Sequence, residues 1–284
     1  MGLLVAPAAL AVPHDAFVNV SPDVRIHVLV AGPASAKHPL VLIPGWRLTA
    51  SIWKEQVAVF SKDRRVIVVD SRSQGDSSKT PEGDTPEQRA RDLDAVLKQQ
   101  KAGSIVLVGW SQGVQDVAAY VEQFGTASLA GIVLVDSTIS NGADAISQSP
   151  NFAAQQLGRL ARYAEDPKSY TRGMMHAIIK RALPQQVFDT LVADALKTPT
   201  AIGEAMLIAD LFGVNRSSTL AKFDRPTLVI ASSSSQELDA QKAMASTLLQ
   251  GRIEIIEDAA HAVFVDQPEH FDQLLATFLS QIDR

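Results

Sequence analysis

The segment Gly109-Trp110-Ser111-Gln112-Gly113 sets a serine at a corner between two periodicities. The run before it, "SIVLVGW", is apolar and β-branched, and the run after it, "QGVQDVAAYVEQFG", has helical spacing. A tight turn accounts for the glycines alone. A serine held at the end of a buried strand and the start of a helix is read instead as a nucleophile. Serine is hardly ionised near neutral pH, so it needs a base. His261 stands in "RIEIIEDAAHAVFVDQPEHF", after a strand end and before a Pro-Glu helix start, and is the candidate. His14, His27, His38 and His176 have no comparable setting and are read as surface or packing residues; His270, in the final helix, is read as solvated.

The imidazole in turn needs an acid to orient it. The loop after "RPTLVI" reads "ASSSSQELD", with serines where an acid is expected and Glu237 and Asp239 slightly late. Asp136, closing "GIVLVD" 25 positions after Ser111, is the alternative. Asp136 is preferred to Glu237, although a strand-end carboxylate can also serve only as a cap. Acyl transfer further requires donors for an oxyanion. The backbone N–H of Gln112 is one, and that of Trp46, behind Gly45, is the other. Arg47 is unusual at its position. It either meets an anionic substrate group or pairs with a surface acid, and the second reading is preferred. Asp70 and Arg72 in "VVDSRSQGDSS" are read as a buried ion pair supporting a turn at Gly75.

These residues need a frame. Residues 16–30 read as two strands around Ser21-Pro22-Asp23, and "PLVLIPG" and "RVIVVD" as buried strands. "SIWKEQVAVF" reads as a helix with Trp53, Val57 and Phe60 on one face. Thr85-Pro86-Glu87-Gln88 is a capping box opening another. "LAGIVLVD", "RPTLVIAS" and "RIEIIED" are further strands, alternating with helices over 238–250 and 268–282. Continuous apolar strands alternating with amphipathic helices predict an α/β chain: a mostly parallel sheet of eight strands covered on both faces. From 137 to 220 only helical patterns occur, so that stretch is expected to be a lid or cap inserted after the sixth strand. The core is then 16–136 with 221–284, and 1–15 is an apolar arm or a signal-peptide remnant. Gly45, Arg47, Trp110, Met174, Met175, Met206 and Phe212 are the candidate pocket residues, the methionines and Phe212 being equally explicable as packing within the lid.

The 284 residues suffice for a large core without staples, and a net charge of −5 with no basic run points away from nucleic acid. The chain has no cysteine, which excludes disulfides, thiolate catalysis and cysteine metal sites. No metal or organic cofactor is expected. No apolar run is long enough to span a bilayer. A cytoplasmic location is expected ahead of export, which Ala9-Leu10-Ala11 in the apolar N-terminus keeps open despite the missing basic region. The sequence leaves the oligomeric state open.

From about residue 16 onward the chain resembles α/β-hydrolase fold proteins. "LIPGWRLTASIW" is similar to the segment after the third strand in bacterial esterases and cofactor-free haloperoxidases (perhydrolases). "VVDSRSQGDSS", "VGWSQG" and "DAAH" are similar to their Asp-x-Arg turn, nucleophile elbow and histidine loop. The resemblance implies Ser111 as nucleophile, His261 as base, and Trp46 and Gln112 as oxyanion donors. Two departures stand out: Pro44 replaces the usual histidine before Gly45, and the acid after the seventh strand is missing or displaced. An acid after the sixth strand occurs in haloalkane dehalogenases, whose aspartate nucleophile Ser111 argues against. It occurs too in cofactor-free dioxygenases of quinolone rings, where a second histidine stands in place of Arg47-Leu48. The expected function is a serine hydrolase acting on a small carboxylic ester or related acyl compound. The alternatives are a cofactor-free dioxygenase with a His/Asp base, and a non-catalytic protein that binds a small ligand.

Overall fold

The computed structural model describes residues 12–34, 37–139, 142, 144, 147 and 150–284. Most of the apolar N-terminal arm, including Ala9-Leu10-Ala11, lies outside these residues. Eight strands form one sheet: β1 (His14–Ser21), β2 (Val24–Ala31), β3 (Leu40–Ile43), β4 (Val66–Val69), β5 (Ile105–Trp110), β6 (Leu129–Val135), β7 (Thr227–Ser232) and β8 (Gly251–Ile256). Their order is β1-β2-β4-β3-β5-β6-β7-β8. β1 pairs with β2, and β2 with β4, antiparallel; every later pairing is parallel. The sheet is therefore the mostly parallel one expected.

The central strands are continuously apolar because both of their faces are covered. Alternate residues divide between two cores, as a period of two requires. Leu40, Leu42, Val66, Val68, Val106, Val108 and Trp110 belong to one. Val41, Ile43, Ile67, Val69, Ile105 and Leu107 belong to the other. The first core is closed by α1 (Lys54–Phe60) and α10 (Pro268–Ile282). The second is closed by α2 (Pro86–Gln99), α3 (Gln112–Phe124) and α8 (Leu238–Thr247). A 3-10 turn over Ala50–Trp53 precedes α1, so "SIWKEQVAVF" is not one helix, yet Trp53, Val57 and Phe60 share the buried side expected of them. The capping box at α2 is half made. Thr85 accepts from the Gln88 N–H at 3.4 Å, while the Gln88 side chain donates to Asp92 instead.

Between β6 and β7 lie α4 (Pro150–Glu165), α5 (Pro167–Ile178), α6 (Gln185–Ala195) and α7 (Thr200–Phe212). A short α9 (Val263–Asp266), not apparent in the sequence, follows the His261 loop. No helix among the described residues is long and apolar enough to cross a membrane. The loops after β3, β5, β6, β7 and β8 leave the carboxyl ends of parallel strands. In an open α/β sheet that edge is where ligands bind, and it carries Trp46, Ser111, Asp136 and His261.

Candidate active site

Ser111 sits between β5 and α3 with φ 56° and ψ −119°, a conformation that L residues rarely adopt. Two backbone bonds hold it there. Its N–H donates to the Val135 carbonyl at 3.1 Å, and its carbonyl accepts from the Val114 N–H at 2.9 Å. The flanking glycines answer to close packing. A Cβ on Gly109 would lie 2.3 Å from the Gly113 carbonyl oxygen, and one on Gly113 would lie 2.6 Å from that of Ile43. A side chain at either position would push α3 off the strands. The Ser111 hydroxyl is half-buried and makes no hydrogen bond among the described residues.

Gly45 brings the loop after β3 against the serine: a Cβ there would stand 3.0 Å from that of Ser111. The next amide, that of Trp46, donates no hydrogen bond among the described residues. Gln112 opens α3, so its N–H has no partner inside the helix. Two backbone donors thus stand beside the serine unspent.

His261 Nδ1 lies 2.8 Å from Asp136 Oδ2. The other carboxylate oxygen accepts from the Ser232 N–H at 2.9 Å and from Gln241 Nε2 at 3.3 Å. The Asp136 side chain is 2% exposed and that of His261 is 32% exposed, so the acid is sealed and the ring reaches the surface. A buried carboxylate on Nδ1 makes that nitrogen the donor and leaves the Nε2 lone pair free to take a proton. Trp110 Nε1 donates to the His261 carbonyl at 3.0 Å, tying the histidine loop to the residue before Ser111. Glu237, the alternative acid, does not bond His261. It accepts from the Thr138 N–H at 3.3 Å, and burial raises its pKa.

The serine tract is used, though not as an acid. Ser232 Oγ and Ser234 Oγ donate to the Ala259 carbonyl at 2.6 and 2.8 Å, and Asp266 Oδ2 accepts from the Ala260 N–H at 2.8 Å. These bonds, with Gln241, fix the histidine loop and its carboxylate. The sequence offered only a composition signal for them, a run of serines where an acid was expected.

Other expectations fare differently. Trp110 is 1% exposed and packs edge-on against Trp53 and Phe264, so it is core rather than pocket wall. Met175 is buried in the same core. Met206 packs with Trp46 and Tyr163, and Met174 touches both groups. Phe212 ends α7 half-buried and belongs to none of the apolar clusters. Asp70 does not pair with Arg72. It accepts from the Ala50 N–H at 2.7 Å and contacts His27 Nδ1 at 2.9 Å, whereas Arg72 grips Asp92 through Nε and Nη2, each at 2.7 Å. His27 is correspondingly buried: its pKa is raised because the carboxylates of Asp70 and Asp15 together outweigh the opposing effect of burial.

Arg47 corrects the preferred reading most sharply. It is wholly buried rather than on the surface, with φ 61°, and no carboxylate lies within ion-pair distance of it among the described residues. Its neighbour Trp46 turns its indole N–H to the Gly203 carbonyl in α7, at 2.8 Å. On the other side of the serine, the Gln112 side chain donates to Asp210 of α7, which is paired with Arg89 at 2.6 Å. An open depression of about 610 Å³ lined by His176, Lys180, Ser233, Glu257 and others lies behind the histidine loop and includes neither Ser111 nor His261. No group of three or more His, Asp or Glu among the described residues is arranged to hold a metal ion.

Residues 40–271 match the family model described as "Alpha/beta hydrolase family". The chain is 27% identical over 259 residues to a non-heme chloroperoxidase from Kitasatospora aureofaciens, covering 86% of this chain and 92% of that one. It is 28% identical over 262 residues to a pimeloyl-[acyl-carrier protein] methyl ester esterase from Edwardsiella ictaluri, covering 86% and 94%. Among solved structures, a bromoperoxidase from Bacillus anthracis superposes with a TM-score of 0.84 at 22% identity, over 94% of this chain and all (100%) of that one. The chain is thus a member of the alpha/beta hydrolase family.

Proposed function

We propose that the protein hydrolyses a small carboxylic ester or related acyl compound through an acyl-enzyme. The observation that carries this reading is the Asp136–His261 pair at the same sheet edge as a serine on a strained elbow, its loop tied to the residue before that serine, with two unspent amides next to the serine. The relatives named as an esterase and a chloroperoxidase, each matched over most of both chains, support it.

In this mechanism His261 Nε2 takes the Ser111 proton as the hydroxyl oxygen attacks the ester carbonyl. Asp136 holds the ring and stabilises the imidazolium that forms. The carbonyl oxygen, now an anion, accepts from the amides of Trp46 and Gln112. The imidazolium protonates the leaving alcohol, and water, deprotonated by the same nitrogen, releases the acid. The helices over 137–220 would act as a cap above the 16–136 and 221–284 core, meeting the site through Trp46 and Gln112.

A fluorophosphonate probe followed by peptide mass spectrometry tests the proposal. We expect one adduct per chain, on Ser111, absent in His261→Ala. Turnover of p-nitrophenyl acetate should fall by about 10³-fold or more in Ser111→Ala. A folded protein that takes no label would sink the serine mechanism. The position of Asp136 after β6 favours one second reading, a cofactor-free dioxygenase. In it Ser111→Ala would only weaken oxygen uptake with a hydroxyquinolone.

A further inference from the structure

Arg47 is a guanidinium without a counter-ion. None of the residues outside the described set is Asp or Glu, so the chain supplies no carboxylate there. Nη1 donates to Thr171 Oγ1 at 2.9 Å. Nη2 meets only the sulfur of Met174, at 3.6 Å, and Nε has no acceptor. The rings of Trp46 and Tyr163 lie against the guanidinium, 4.0 and 4.2 Å from its carbon. Burial lowers its pKa; the Tyr163 and Tyr170 side chains pull the other way without making good the loss, and Arg159 adds repulsion. An arginine cannot escape such a site by losing its proton. A buried cation left alone is expensive, and aromatic faces return only part of the cost.

The unsatisfied edge has a definite shape. Nε and Nη2 form the side-on fork that fits a carboxylate, the same edge with which Arg72 grips Asp92. In Arg47 that fork has a thioether on Nη2, no acceptor on Nε and the side chain of Tyr163 alongside, and no carboxylate. The residue also follows directly on Trp46, whose amide flanks Ser111, and it holds a left-handed backbone. Met174, which covers the fork, packs against both the main core and the Trp46 cluster. It is unbranched, with three rotatable bonds, and can swing aside.

We propose that the Nε–Nη2 fork of Arg47 binds a carboxylate of the substrate. The protein then acts on esters that carry a second, anionic carboxyl group, such as monoesters of dicarboxylic acids. This rests on the ester-hydrolase reading and names its substrate class. The ligand brings the missing counter-ion, and Met174 holds the place until it arrives.

The test compares monomethyl esters of linear dicarboxylic acids, four to nine carbons long, with neutral methyl esters of equal length. For the best length we expect kcat/KM at least about tenfold above the neutral ester, mostly through KM. Arg47→Met should bring that ratio to within about twofold of unity. Arg47→Lys, a point charge without the fork, should keep only part of the preference. In parallel, the free dicarboxylate of that length should raise the Tm of wild type and of Ser111→Ala, but not of Arg47→Met. Equal or better turnover of neutral esters at every length overturns the proposal, as does a preference that survives Arg47→Met. If no ester of either kind is hydrolysed, the ester-hydrolase reading fails. The Tm measurement then decides the site alone: a rise lost in both Arg47 variants sustains it, and no rise overturns it.

Discussion

Arg47 and Arg89 are both sealed from water beside the elbow, and their surroundings are opposite. Arg89 has two carboxylates as partners. Its Nε meets Asp116 at 2.8 Å, its Nη2 meets Asp210 at 2.6 Å, and its Nη1 donates to the Asp84 carbonyl at 2.9 Å. Burial opposes its charge, and the two carboxylates more than offset burial, so its pKa is raised. The acids bear the strain of that arrangement. Burial raises the pKa of Asp210 and pushes that of Asp116 up to about 6. Arg47 has rings, a hydroxyl and a sulfur, and no acid. Arg89 is balanced by the chain itself and joins α2, α3 and α7 into one frame behind Gln112. Arg47 has no counter-ion in the chain. A buried charge that serves the fold brings its own counter-ions; one that lacks them points to a ligand.

Arg89→Met probes the balanced site most severely. It would leave two buried carboxylates facing each other with no cation between them. Removing one partner of a buried pair costs about 3–5 kcal/mol, and we expect a loss in that range by urea denaturation. Gln112, whose side chain rests on Asp210, would lose its anchor as well. A loss below about 1 kcal/mol would mean that the cluster is not the frame described here.

Asp116 gives the same site a pH signature. Its pKa rises from an ordinary 3.8 to about 6 in the fold, with burial the largest cause. Asp116 and Asp210 share Arg89, so they titrate as a pair. Over the window from about 4 to 6 the folded chain keeps a proton on Asp116 that the unfolded chain has released, and the contribution of Asp116 to stability falls as pH rises through it. Asparagine has no such proton. The stability of wild type minus that of Asp116→Asn should therefore decrease from pH 4.5 to pH 7, by on the order of 2 kcal/mol. A difference that stays flat, in urea titrations at several pH values, would show that Arg89 neutralises Asp116 fully.

The contrast between the two arginines is not legible in the sequence, although much around it is. The elbow is a local pattern: glycines at fixed offsets between a strand period and a helix period. His261 and Asp136 each close or follow an apolar strand, so the parallel sheet carries them to one edge, and the structure joins them at 2.8 Å. Arg89, Asp116 and Asp210 stand 27 and 121 positions apart in their pairings, and only the docking of α7 brings the last to the first. Arg72 chooses Asp92, one helix away, over Asp70 for a similar reason: Asp70 is already occupied by the Ala50 amide and His27. Arg47 reads as a surface cation because arginine usually is one. Its burial depends on Thr171, Met174 and Tyr163, which come from the inserted helices over a hundred positions away.

Arg47→Met completes the comparison with the smallest expected change. The substitution removes one hydroxyl bond, one contact to the Met174 sulfur and two ring contacts, each modest, and with them the cost of keeping a lone cation out of water. Any L residue at that position inherits the same left-handed backbone, so that strain cancels. The opposing effects should leave stability within about 1 kcal/mol of wild type, against the several lost in Arg89→Met. Urea denaturation of the two variants side by side decides the matter. If Arg47→Met were as damaging as Arg89→Met, the guanidinium would be a clasp holding the helices between β6 and β7 to the loop after β3, and the fold would need no ligand to explain it. If it is neutral or stabilising, the charge is carried at a cost to the fold, and its use must lie in what the site binds.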